Sequence, residues 1–323
     1  MVEYIIKRLL WMIPVLLGVS VLIFTILFFT PGDPASIILG GRASQAEKEA
    51  LTEQMGLNDP YIVQLGSFLE NTFLKFDFGT SFITKQSVAK EILNRLPYTL
   101  LICYVGIFVG VFFGMLLGII AALNQNTWKD NAAMVVSMVG VSMPNFWFAL
   151  IMVMLFSMKF GWLPVTGVTN WKGFVIPCLS IAVGSLSMIS RLTRSCMLEV
   201  IRQDYITTAK AKGQIPYMIL IKHALRNAVL PIITMVGGLM AGSLGGTVVV
   251  ETIFSIPGLG SYLITGISNR DYPTIQGSVI ILAFVFALMS LIVDLLYTAV
   301  NPKLRNSFVM HINKKTKERT ISV

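Results

Sequence analysis

Two carboxylates stand where apolar sequence would bury them. Glu251 follows "GGTVVV", and Asp294 interrupts "SLIVDLLYTAV". An ionisable side chain at membrane depth marks a substrate or ion path, or else a hydrogen bond to a neighbouring helix. Both roles stay open for Asp294. Glu251 can also lie at the membrane interface, where a carboxylate costs little. Asn145, Ser185, Ser187 and Thr247 are the neutral candidates for lining a wide polar path, with helix–helix hydrogen bonding as the competing role of each.

Other chemistry finds little material. His223 and His311 both lie in polar segments, so neither a metal site nor a Ser/His triad within the apolar runs has support. Cys103, Cys178 and Cys196 are isolated and read as small buried apolar side chains. Met134, Met138, Met143, Met152, Met154 and Met158 share one run. Without His or Cys at ligand spacing, they read as adaptable packing rather than a metal path. No G-x-x-x-x-G-K-[ST] phosphate loop, H-E-x-x-H or G-x-S-x-G is present. The chain is read as non-enzymatic, binding no cofactor and no metal of its own.

The elements that must position these residues are membrane helices. Of 323 residues, 55% are hydrophobic and 13% charged, with a mean hydropathy of +0.75; soluble domains carry about twice that charge. Six uncharged runs approach or reach the roughly 20 apolar residues of a spanning helix. They are Leu9–Thr30, Leu96–Thr127, Asn131–Met158, Gly173–Ser190, Asn227–Val250 and Tyr272–Val293. The expected fold class is an all-α polytopic membrane protein with six transmembrane helices. The first run is too long for a signal h-region and lacks a cleavage pattern, so it is expected to be retained. Pro14, Pro144, Pro177 and Pro231 fall in or at the ends of runs, where proline can kink a helix.

Charge sets the orientation. With the N-terminus inside, the inner segments hold 16 of the 25 Lys and Arg residues, and eight of the 16 acids fall in the long outer 31–95 segment. Short loops and helix flanks therefore follow the positive-inside rule with both termini cytoplasmic. The net charge of +9 is mostly a topology signal, with attraction to anionic lipid as a secondary consequence. It does not form the basic, aromatic-interleaved stripe of a nucleic-acid binder.

Expected boundaries are 1–30 for the N-terminus and first helix, 31–95 for an outer subdomain, 96–300 for a five-helix core with a cytoplasmic loop at 197–226, and 301–323 for a basic tail. In the outer segment, Ser44 and Glu47 form a capping box that starts a short helix ending near Gly56, and a second helix covers Tyr61–Lys75. This segment reads as a lid or as a docking surface. In the second run, Gly106, Gly110, Gly114, Gly118 and Ala122 line one face for close helix packing. Gly237, Gly238, Gly242, Gly245 and Gly246 in the fifth suit tight packing or a flexible gate.

One polar segment remains, "DYITTAKAKGQIPYMILIKHALRNAVLP" at 204–231, set between two apolar runs. A helix over Met197–Gly213 is expected, ended by Gly213 in the left-handed conformation and followed by a new helix opening on Pro216. Thr208, Ala209 and Ala211 are small enough for another protein to approach, and Tyr205 can anchor in its groove.

With "YITTAKAKG" and "KHALRNAVLP", the chain resembles the EAA loop of ABC importer permeases, in particular the dipeptide, oligopeptide and nickel group. "FFTPGDP", "MGLNDPYIVQ", "TSF", "GVSMPNFW" and "VETIFSIPGLG" extend the resemblance over nearly the whole chain. The short N-terminus with its "PGDP" exit is similar to the B-type subunit. The usual glutamate before Ala-Ala is absent at Thr208–Ala211, Asn301-Pro302-Lys303 replaces Asp-Pro-Arg, and "KFDFGTS" replaces a Gly-Asp-Leu-Gly pattern. The resemblance implies a type I importer permease fold with an EAA-type coupling helix, and import of di- or oligopeptides or, alternatively, of nickel or a metal chelate. It implies a C-type permease, two ABC ATPases that hold the ATP and Mg, and an extracytoplasmic solute-binding protein as partners, in a bacterial cell membrane. Glu199, Asp204, Tyr205, Ala209, Ala211 and Gly213 are the expected coupling residues.

Overall fold

The computed structural model describes residues 2–32, 34–39, 44–54 and 56–300. The expected basic tail at 301–323, with Asn301, Pro302, Lys303 and His311, lies outside them. A long helix α1 (Val2–Phe29) is followed by short ones, α2 (Pro34–Leu39), α3 (Gln45–Gln54) and α4 (Tyr61–Phe73). Next come α5 (Val88–Leu123), α6 (Trp128–Ser142) and α7 (Asn145–Met152), which runs into a π-helical stretch, Val153–Lys159. A 3-10 turn, Trp171–Phe174, leads into α8 (Val175–Ile201), then α9 (Asp204–Ala211) and α10 (Pro216–Met218). A second π-helical stretch, Ile219–Leu225, opens α11 (Arg226–Ile253), and α12 (Leu259–Asn269) and α13 (Tyr272–Val300) close the series.

Among the described residues, five stretches are long and apolar enough to cross a membrane: Ile5–Phe29, Val88–Leu123, Trp171–Ile201, Pro216–Ile253 and Tyr272–Leu295. The expected third span is not one helix. α6 and α7 with its π continuation form a broken pair bent by 106°. Pro144 lies between them, and Met143 before it is extended (φ −86°, ψ 125°), as steric clash with the proline ring favours. The expected fourth span, ending at Ser190, instead continues eleven residues to Ile201. Arg191 and Arg194 end the uncharged run but not the helix, because Arg194 finds a carboxylate partner. α12 lies between two of the expected runs, where no helix was expected.

The chain divides into two units. The first comprises the chain up to Gly106, Asn145–Ile181 and Gly242–Ala287. Its buried cluster is Val88, Ile92, Leu259 and Tyr262. Arg95 lies 4.5 Å over the Tyr262 ring and pairs with Glu91 at 2.8 Å. Burial pushes the Tyr262 phenol above its ordinary pKa. Asp271, 3% exposed, accepts from the Ser81 hydroxyl at 2.5 Å, the Phe82 N–H at 3.0 Å and the Thr274 hydroxyl at 2.8 Å, joining the 81–82 turn to the start of α13. α4 packs on α1 through an aromatic cluster, with Phe24–Phe68 centroids 5.3 Å apart and Phe28–Tyr61 5.1 Å edge-on. The capping box forms: Ser44 N–H donates to Glu47 Oε2 at 2.8 Å and Glu47 N–H to Ser44 Oγ at 3.3 Å. The Ser44 N–H, together with the Ser44 hydroxyl that also donates to Glu47 Oε2, holds the Glu47 carboxyl below its usual range. Gly106 makes the first step of the glycine row, where a Cβ would sit 2.8 Å from Cys178 O.

The second unit comprises Ile107–Pro144, Ala182–Ala241 and the chain from Leu288. The glycine row continues here against α8. A Cβ on Gly110, Gly114 or Gly118 would approach Ala182 O, Leu186 O or Ser190 O to 2.5, 2.7 or 2.5 Å. The absence of side chains along this row thus lets the two helices approach backbone to backbone. Of the fifth-run glycines in this unit, Gly237 is closed by Val293, while Gly238 has nothing within 4 Å of its Cβ position.

Candidate functional site

In the second unit the 197–226 segment is built from its turns outward. The expected continuous helix over Met197–Gly213 is two pieces. α8 ends at Ile201, and Gln203 in extended conformation (φ −75°, ψ 148°) starts α9 afresh. Asp204 in the first turn and Lys210 in the last complement the helix dipole. At the other end Gly213 adopts φ +71°. Its N–H donates to Lys210 O at 2.9 Å and the Gln214 N–H to Ala209 O at 3.3 Å. This pair of bonds is a Schellman closure, which satisfies two carbonyls that the helix end leaves free. Ile215 is extended and Pro216 occupies the first turn of the next helix. His223 Nε2 and Gln214 Oε1, 2.9 Å apart, tie that helix back to the turn.

α9 is pinned by one face. Ile206 and Ala209, three apart, are 1% and 5% exposed and join Ala122, Cys196, Met197, Ile219, Ala224 and Ala228 in one buried cluster. Ala209 was expected on the outward face and is corrected here: its methyl packs into the chain's own core. Glu199, Asp204, Tyr205, Thr208, Ala211 and Gly213 are exposed. Beside them Ile215, Tyr217 and Met218 are exposed apolar side chains that sequence reasoning missed, with Tyr217 70% exposed. The only signal was their place directly after the glycine turn.

An ion pair in the same unit was also missed. Arg194 on α8 grips Asp130 on α6 bidentately, Nε to Oδ1 at 2.6 Å and Nη2 to Oδ2 at 2.7 Å. Asp130 is 1% exposed and accepts a third bond from the Asn126 N–H at 3.0 Å. Two parallel charge-assisted bonds fix both distance and angle between the helices.

The six path candidates fall in both units. Asn145, Thr247 and Glu251 belong to the first unit, and Ser185, Ser187 and Asp294 to the second. Ser185, Ser187 and Thr247 are buried, which corrects their expected place along an open path. Ser187 Oγ donates to Val183 O and Thr247 Oγ1 to Leu244 O, both at 2.8 Å along their own helices. Asn145 and Asp294 are half-buried.

Glu251 is fully buried within the protein. Its carboxylate accepts from the Thr99 hydroxyl at 2.7 Å and the Ser261 N–H at 2.9 Å, and Thr99 Oγ1 accepts from the Leu259 N–H at 2.8 Å. The two side chains thus satisfy backbone donors in the first turn of α12. Gly258 and Gly260 leave room for them; a Cβ on Gly260 would stand 2.9 Å from Glu251 Oε2. Glu251 is a helix cap that locks α5, α11 and α12 together. Among the described residues no group of three or more His, Cys, Asp or Glu could hold a metal.

Residues 114–306 match the family described as binding-protein-dependent transport system inner membrane component, and residues 1–103 match the N-terminal region of such membrane components. The chain is 39% identical over 305 residues to the glutathione transport system permease protein GsiC of Escherichia coli (strain K12), across 94% of this chain and 99% of that one. The protein of that name from Salmonella typhi matches at the same identity and coverage. An inward-facing MetNI methionine ABC transporter superposes with a TM-score of 0.54 at 18% identity, covering 65% of this chain and 96% of that one. An amino acid ABC transporter with histidines gives 0.50 at 17%, covering 66% and 94%. At those identities the two structures show the fold alone, and it is the helical fold of importer permeases.

Proposed function

Because the chain belongs to the binding-protein-dependent transport system inner membrane components, we propose that it is the permease of an ATP-driven importer of short peptides. It is a multi-pass inner membrane protein and not itself an enzyme. The observation that carries the peptide assignment is 39% identity along nearly the full length of a glutathione permease, glutathione being a tripeptide. A second, C-type permease completes the path. Two ATPases supply ATP and Mg chemistry, and a solute-binding protein delivers the peptide from outside. Both termini and α9 face the cytoplasm, in keeping with the 16 of 25 basic residues in the inner segments.

α9 is the coupling element in this reading. Its inner face, with Ala209 and Ile206, joins it to the core, while Glu199, Asp204, Tyr205 and Ala211 are open to an ATPase groove, and Gly213 sets the turn. Movement of the ATPases on binding ATP then biases a bundle with two arrangements. Asn145 and Asp294 are the path candidates that stay partly accessible. The outer 31–87 segment, which ends where α5 begins, is the surface nearest the binding protein.

The test is substrate-stimulated ATP hydrolysis. The chain is purified with its partner subunits, placed in liposomes and given the binding protein with glutathione, di- to pentapeptides or nickel. Stimulation by peptides is expected. Stimulation by nickel alone would move the chain to the metal branch, and the absence of any co-purifying ATPase would overturn the coupling role of α9.

A further inference from the structure

A cavity of about 430 Å³ lies in the first unit at the end of α1. Sites for small organic molecules span roughly 300–1,000 Å³. Phe24, Leu27, Phe28 and Phe68 form its apolar wall, and Tyr272 and Gln276 from the first turns of α13 close the other side. Both helices are long and apolar enough to cross a membrane, so the cavity sits where two spans leave the apolar layer. α4, which carries Phe68, exposes Ile62 at 75% and Val63 at 50%, apolar surface that suits a helix lying in the membrane interface.

Polarity runs along the cavity. Phe24 and Leu27 lie deeper in α1, and Thr30 and Gly32 lie at its exit. Just beyond, exposed Arg270 donates through Nη1 to Pro31 O at 3.1 Å. The guanidinium keeps further N–H groups for an anion. Within the wall, three polar side chains are already engaged, while the Tyr272 hydroxyl is buried without a partner. Thr30 Oγ1 donates to Ile26 O at 2.6 Å and Thr52 Oγ1 to Lys48 O at 2.8 Å. Gln64 Nε2 donates to Leu57 O and Asp59 O, each at 2.9 Å. A peptide placed there would find few partners for its amides, and unpaired buried amides are costly. A hydrocarbon chain asks for none.

We propose that this cavity holds one acyl chain of a glycerophospholipid from the surrounding bilayer, with the lipid phosphate at Arg270. The inference does not rest on the transported substrate, and its test needs no transport. The complete transporter is reconstituted in phosphatidylethanolamine and phosphatidylglycerol vesicles containing a phosphatidylglycerol with a photoactivatable group near its acyl end. Adducts are mapped by mass spectrometry. They are expected on the Phe24–Phe28 and Phe68 peptides. Leu27→Trp and Thr52→Trp, which fill the cavity, should each lose those adducts while adducts at exposed Phe108 and Phe112 persist. Arg270→Gln should weaken capture of the phosphatidylglycerol probe but not of the matching diacylglycerol. Wild-type adducts that avoid Phe24–Phe28 and Phe68 would overturn the proposal even if a filled variant failed to reach the membrane. So would adducts unchanged by filling, or adducts displaced by short peptides.

Discussion

Arg194 and Asp130 illustrate what a single pair does in an apolar setting. The Asp130 charge is tolerable only because Arg194 is 2.6 Å away. Removing Arg194 leaves Asp130 buried without compensation, a loss of up to about 3–5 kcal/mol, whereas Arg194 left alone is 26% exposed and can reach solvent. Arg194→Ala should therefore lower the thermal midpoint of the detergent-solubilised protein sharply, and Asp130→Ala by less. The double replacement by Leu should recover most of the loss, because no charge is left stranded. A double variant as unstable as the sum of the singles would refute this. Sequence could not supply the pair. Asp130 lies in "NTWKDN", which looks like a solvated loop, and its partner is 64 positions away. Ser187 and Thr247 failed in the opposite sense. A hydroxyl in a helix can satisfy itself on its own backbone, so polarity in an apolar run does not imply an open path.

The packing of α5 on α8 was legible at the level of elements, because four-residue glycine spacing marks one face of one helix. Gly114→Leu should cost about 1–3 kcal/mol or more by forcing side-chain bulk onto Leu186 O and Ile189. Gly245→Ala should be tolerated within this chain, since nothing lies within 4 Å of its Cβ position. Thermal midpoints of the two variants check the contrast, and an equal loss would contradict it. Helix ends were less legible. Hydropathy stops at the first charge, while α8 runs on through Arg191 and Arg194 and α5 begins at Val88, ahead of Lys90, Glu91 and Arg95. Pro144 was visible as a point of weakness, but the 106° bend was not, because the angle depends on what the two pieces pack against. The π-helical stretches left no mark in the sequence. α12 was not expected from hydropathy, and its Gly258 and Gly260 leave room for a carboxylate supplied from α11.

For the whole molecule, charge distribution and hydropathy were enough to give a polytopic helical protein, because they report on the solvent rather than on any contact. Coupling is the property that belongs at this scale. Gly213 has open space around its Cβ position, so its constraint is the φ of +71° alone. A β-branched residue there is disfavoured by about 1–2 kcal/mol, too little to unfold the bundle but enough to re-aim the turn after α9. Gly213→Val should assemble in the membrane with its partners, retain basal ATP hydrolysis and lose peptide uptake. Gly213→Asn, which tolerates the left-handed region, should retain part of it. Normal uptake by the valine variant would remove Gly213 from the coupling machinery.

The nest around Glu251 also constrains how this sequence can drift. A methyl group on Gly258 would arrive inside the carboxylate, against its Oε2, and one on Gly260 would meet the Val248 Cα at 2.8 Å as well as Glu251 Oε2 at 2.9 Å; loss of the carboxylate first would strand the start of α12. Neither change is open as a single step. A shorter acid at 251, Asp, would withdraw the oxygens from Gly258 but leave the Val248 backbone against Gly260. Replacement of Gly258 thus depends on the length of one side chain, while Gly260 is held by the backbone of α11 whatever acid stands at 251.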